Sequence, residues 1–165
     1  MADFTRDLAA EIPRLRRYAR GLTHDAHWAD DLVQDTLERA LARRWLFRSG
    51  SLRAWLLTML HRLYLNDLAR ERRSASQPGD AEPVVHAEPD LALDLEKALA
   101  QLPPEQRAVL LLVAMEDLAY QECAAILGVP VGTVMSRLAR GRERLRQLLN
   151  GAAPSQHPAQ LSRIK

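Results

Sequence analysis

Five side chains near the end of the chain have the types and spacing to read DNA: Thr133, Ser136, Arg137, Arg140 and Arg144. They recur at intervals of three and four, so a helix would carry them as one stripe. Arginine can pair with guanine edges or with phosphates, and a hydroxyl can contact either. The segment that holds them, YQECAAILGVPVGTVMSRLARGR (120–142), has the outline of two short helices and a tight turn. Ala124 stands four residues before Gly128, and Val134 stands six after it. A bihelical DNA-reading motif needs those three things: a small residue at the crossing, a glycine in the turn, and an apolar seat for the second helix. Cys123, Ile126, Leu127 and Val129 complete the small core, and Val134, Leu138, Leu145 and Leu148 point inward. An ordinary helical hairpin with a solvated face shares the outline. The one-sided arginine stripe favours a recognition helix lying in the major groove.

Other chemistry finds less support. His24, His27 and Asp31 fall at i, i+3 and i+7 of one helix, a spacing open to a metal ion. No second Cys/His cluster completes a coordination shell, so no metal is expected. Cys123 stands alone, which excludes a disulfide framework, and it reads as a small buried core residue. The sequence has no phosphate-binding loop, HExxH, GxSxG or dinucleotide fingerprint. Neither a catalytic residue nor a cofactor is expected, and the chain is not expected to be an enzyme.

The elements that must position the stripe are helices. Ala, Leu and Arg dominate a 165-residue chain with 5% aromatics, a mix that favours an all-α fold. Formal net charge is only +2, but it is unevenly placed. Residues 131–150 hold five arginines and one acid, while 91–130 hold six acids and two bases. Local basic charge of that kind marks a nucleic-acid face better than net charge does. The N-terminus lacks the apolar stretch of a signal peptide, and no run approaches the ~20 apolar residues of a membrane span. A cytoplasmic protein without membrane insertion is the expectation.

Two helical blocks flank a breaker-rich joint. Periodicity predicts helices over 4–20, 25–44 and 52–73, with RWLFRSGS (44–51) as a loop. Phe4, Leu8, Ile12, Leu15 and Ala19 line the first helix. Ala29, Val33, Thr36, Leu37, Ala40 and Leu41 line the second, and Trp55, Leu56, Met59, Leu60 and Leu63 the third. Residues 74–90 (SASQPGDAEPVVHAEPD) have three prolines and no helical period, and read as a flexible linker. The second block, 91–150, predicts helices over 90–101, from Pro103-Pro104 to about Met115, over 119–127 and over 131–149. Residues 151–165 read as a disordered tail.

The order of these features resembles the extracytoplasmic-function (ECF) RNA polymerase sigma factors. The matching stretches are ADDLVQDTLERAL (29–41), LRAWLLTMLHRLYLNDLARERR (52–73), LAQLPPEQRAVLLL (99–112) and YQECAAILGVPVGTVMSRLARGRERLR (120–146). The resemblance implies two small helical domains: a region-2 bundle over 1–73 and a region-4 helix-turn-helix over 91–150. It implies that Asp31, Leu32, Gln34 and Asp35 dock on the polymerase core enzyme. It implies that Arg48, Ser49, Ser51, Arg53, Trp55, Arg62 and Asn66 serve the −10 element of promoter DNA, where unstacked bases are trapped by stacking and basic contacts. Trp55 is equally placed to be core or base-facing. Thr133, Ser136, Arg137, Arg140 and Arg144 would read the −35 element. At two positions the sequence departs from many family members, with Arg62 in place of Asn and Asn66 in place of Asp. An anti-sigma factor is the implied controller. Two rivals remain: a helix-turn-helix regulator that binds duplex DNA without polymerase, and a sigma mimic that titrates an anti-sigma factor.

Overall fold

The computed structural model describes residues 2–74 and 91–151. The predicted joint (75–90) and most of the predicted tail (152–165) lie outside the described residues. Seven α-helices follow in order: α1 Ala2–Thr23, α2 Ala26–Ala42, α3 Leu52–Ser74, α4 Leu91–Ala100, α5 Pro104–Ala114, α6 Tyr120–Leu127 and α7 Val131–Gly151. The predicted loop after α2 contains a short 3-10 turn, Arg44–Leu46. No strand occurs among the described residues.

Local chemistry sets the boundaries. Asp25 caps α2 by accepting the Trp28 N–H at 3.0 Å. Pro103 and Pro104 open α5, where a missing N–H is harmless. Gly128 ends α6 in the left-handed region (φ 66°), and the Val129 N–H then bonds back to the Ala124 carbonyl at 3.1 Å. Pro13 lies inside α1 on its exposed side.

α1, α2 and α3 form one bundle around Leu15, Tyr18, Leu22, Leu32, Leu56 and Leu60, all at most 1% exposed. Leu41, expected inward, is 45% exposed, because α2 ends one residue later and nothing covers it there. α5, α6 and α7 close around Val109, Leu112, Cys123, Val134 and Leu138. Gly141 lets α7 lie directly on α5: a Cβ there would stand 3.0 Å from Leu110 Cδ1. Burial pushes the Cys123 thiol up to about 11, so it is an inert core group.

The two bundles share one continuous core, since α1 packs on α5 and α3 packs on α6. Gly21 of α1 and Leu111 of α5 meet so closely that a Cβ at 21 would stand 2.7 Å from the leucine. Arg107 ties the bundles together and is 8% exposed. Its guanidinium donates to the carbonyls of Leu22 (2.7 Å), Leu99 (2.8 Å), Ala100 (2.9 Å) and Leu102 (2.8 Å). These carbonyls lie at the ends of α1 and α4 and just beyond, where the helix dipole is negative and a cation is favoured. In Arg107→Met the Ala100 and Leu102 carbonyls lose their donor, while Leu99 keeps the Leu102 N–H and Leu22 the Tyr64 hydroxyl, and each unmet group costs about 1–3 kcal/mol. Arg107→Met is expected to lower the unfolding free energy by at least about 2 kcal/mol in a urea titration. An unchanged midpoint would show that those carbonyls are paired elsewhere.

A second buried polar group sits inside the first bundle. His61, 6% exposed, lies 3.1 Å from the Tyr18 hydroxyl through Nδ1. Burial first, and the charge of Arg137 second, lower its pKa from 6.5 to about 4. The fold therefore holds the neutral ring. The stability it contributes is complete above pH about 6.5 and is lost as pH falls towards about 4, up to about 3 kcal/mol in all. Urea titrations across that range are expected to show a steeper loss in the parent chain than in His61→Gln. Parallel profiles would remove His61 as the cause.

Candidate nucleic-acid interface

The buried side of α7 is set by Val134, Leu138 and Gly141. At about 100° per residue, the direction opposite falls near Ser136 and Glu143, with Ala139 and Arg140 to either side and Met135 out on the flank. Ser136, Arg140 and Arg144 are exposed, as the predicted stripe requires. The Ser136 hydroxyl donates to the Thr133 carbonyl at 3.1 Å. Thr133 and Arg137 sit at the margin of the buried side and are half-covered. Arg137 is near enough to α3 for its charge to act on His61. The structure therefore places all five predicted residues on one helix and divides them into an exposed set and a half-covered set. No acidic residue stands in the first turn of α7, so its positive end is uncompensated.

The loop before α3 gathers the first bundle's predicted DNA residues. Arg48, Ser49 and Ser51 are exposed, and the Ser51 hydroxyl caps α3 by accepting the Ala54 N–H at 3.1 Å. Trp55 is half-buried, with its ring 5.5 Å from that of Phe47, which in turn lies 6.2 Å from Phe4. That places Trp55 in an aromatic row that anchors the loop to α1. Trp45, by contrast, is 69% exposed. Arg62 and Asn66 lie open on α3, one turn apart. Arg70 pairs with Asp67, which also accepts the Trp28 indole N–H at 2.9 Å.

Arg53 is engaged across the seam. Its guanidinium donates to the Glu116 carbonyl at 3.1 Å and lies 3.8 Å from the Glu116 carboxylate. Arg17 of α1 approaches the same carboxylate at 3.5 Å. The Glu116 side chain is 1% exposed, and neither of its oxygens has a hydrogen-bond partner in the structure. Burial raises its pKa, against the pull of Arg17, Arg53 and Arg14. Sequence reasoning missed Glu116, which looks like any acid in a loop between helices. Its neighbours come from α1 and α3, far away in the chain.

The acidic face of α2 is mostly as expected. Asp31, Gln34 and Asp35 are exposed, and Gln34 bonds to Glu38 at 3.0 Å. Leu32, expected among the docking residues, is 1% exposed. Its place on α2 turns it into the bundle core, so it supports that face from behind. His27 pairs with Asp31 at 3.4 Å, while His24 sits in the turn before α2 with φ 52°.

Known proteins share both bundles. Residues 92–145 match the family model described as sigma-70, region 4, and residues 8–61 match the one described as the sigma2 domain of PhyR. The ECF RNA polymerase sigma factor EcfG of Rhodopseudomonas palustris (strain TIE-1) is 41% identical over 150 residues, covering 87% of this chain and 83% of that protein. The sigma factor RpoE of Bartonella quintana, solved with the anti-sigma factor NepR, is 34% identical with a TM-score of 0.78, covering 93% of this chain and 100% of that one. CnrH, solved with the cytosolic domain of CnrY, is 29% identical with a TM-score of 0.70, covering 91% and 89%. No single helix among the described residues is long and apolar enough to cross a membrane.

The Glu116 contact is open to a direct check. Glu116→Lys sets a third cation against Arg17 and Arg53, while Glu116→Gln keeps the shape and loses a charge that burial already opposes. With dyes attached at Arg39→Cys and Gln147→Cys, energy transfer between the bundles is expected to fall in the lysine variant and to hold in the glutamine variant. Equal transfer in both would show that Glu116 does not hold the seam.

Proposed function

Since this chain belongs to the ECF family of RNA polymerase sigma factors, we propose that it binds the polymerase core enzyme and directs initiation at promoters chosen by its two bundles. The observation that carries this reading is the match of both bundles, in order, to ECF sigma factors over most of the chain. α2 supplies the core-docking face through Asp31, Gln34 and Asp35, whose charge suits a basic partner surface. The loop 45–53 and the exposed side of α3 serve the −10 element. α7 reads the −35 element through Ser136, Arg140 and Arg144, with Thr133 and Arg137 at its edge. The chain works in the cytoplasm and has no catalytic role of its own.

The closed seam belongs to the idle form. Elements centred at −10 and −35 lie about 25 base pairs apart, or about 85 Å along a duplex. Two bundles in contact cannot reach both, so the seam parts on the promoter. Residues 75–90 then bridge the gap, with a reach of at most about 60 Å. Parting also frees Arg53 for DNA. The sigma factor RpoE, solved with the anti-sigma factor NepR, is similar to this form over 93% of the chain. An anti-sigma factor that holds this form therefore fits as the controller.

Run-off transcription with purified core enzyme tests the reading. The chain is expected to direct discrete transcripts. The double variant Gln34→Ala, Asp35→Ala is expected to weaken core binding about tenfold or more, while upstream-duplex binding by the free chain stays unchanged. A chain that neither co-elutes with core nor yields a transcript would be a DNA-binding regulator or a mimic instead.

A further inference from the structure

The outward face of α7 carries an apolar strip among its arginines. Met135 is 53% exposed and Val131 39% exposed, one turn apart. Exposed Ala139 continues the line a turn further on. The strip lies on the flank away from Thr133 and Arg137, and Arg142 follows Met135 at about two turns. Arg140 lies on the other side, beyond Ser136. Gly132, between Val131 and Thr133, has open space where a Cβ would stand. A partner can therefore come close to the backbone there.

We propose that Met135, backed by Val131, selects thymine in the upstream promoter element by covering its methyl group. This rests on the reading of α7 as the −35 helix. Three observations favour a base edge over a protein partner. The strip is one or two side chains wide, too narrow for a stable protein interface. Arg142 stands on its flank and Arg140 beyond Ser136 on the other side, and both suit the phosphates beside a groove. It also begins in the first turn of α7, the part of a recognition helix that enters the major groove. There the thymine methyl is the apolar mark that distinguishes a base pair, and an apolar side chain is its complement. A methionine has no hydrogen bond to offer a base, so its selectivity must come from shape and burial.

The test uses the full chain bound to core polymerase. A duplex library randomised over the upstream element is selected by binding. Each thymine of the enriched duplex is then replaced by uracil, which removes the methyl and keeps the pairing edge. In the parent protein one or two positions are expected to lose about fourfold in affinity, the effect of uncovering one carbon. Met135→Ala should bind the thymine and uracil duplexes alike. Met135→Lys, at an exposed position that folding does not depend on, should shift selection away from thymine at that position. A flat uracil scan in the parent, or an equal loss in Met135→Ala, overturns the proposal and leaves the sigma reading standing. A library from which nothing is enriched overturns both.

Discussion

A buried guanidinium holds this molecule in its described form. Helices α1 and α4 both end with carbonyls turned toward the interior, where water cannot serve them. Arg107 meets four of those carbonyls with donors fixed in one plane. A lysine could not span them, because its donors diverge from a single atom. The charge has no buried carboxylate partner. Two helix C-termini, each partly negative, take that place. The geometry of both bundles is thus referred to one side chain, and the apolar contacts around it follow.

Glu116 completes the arrangement in the opposite sense. It is an acid brought into the seam and faced by Arg17 and Arg53 at ion-pair distance, without a hydrogen bond to its oxygens. Buried charge of this sort adds little net stability, since desolvation offsets attraction. It adds discrimination: the seam fits when Arg17 and Arg53 face the acid. Arg107 and Glu116 therefore divide the work, one giving permanence to the helix ends and the other making the contact conditional.

Much of the fold was legible because it is written in local periodicity. The helix ends at Asp25, Pro104 and Gly128 follow from capping chemistry, and all seven helices begin within two residues of where the pattern puts them. α7 was also legible as a two-faced helix, with Val134 and Leu138 inward, from its spacing alone. What escaped was everything that depends on which elements meet. Leu32 shares a motif with exposed neighbours, and only the placement of α2 in its bundle turns it inward. Arg137 fits the stripe by spacing, but it stands half-covered at the margin of the buried side of α7. Arg53 reads as a DNA contact, and nothing in its neighbourhood along the chain announces Glu116, 63 residues later. Trp55 was balanced between two readings until Phe47 and Phe4 gave it a row to join.

Gly21 gives the seam an adjustable set point. Its missing side chain leaves the space that the end of the Leu111 side chain fills, so the two bundles approach closely there. A methyl at that place would press on Leu111 from within the core and leave the exposed faces of α2 and α7 as they are. Under the proposed function, the balance between closed and parted forms can then be moved from inside the protein, and promoter choice need not change with it.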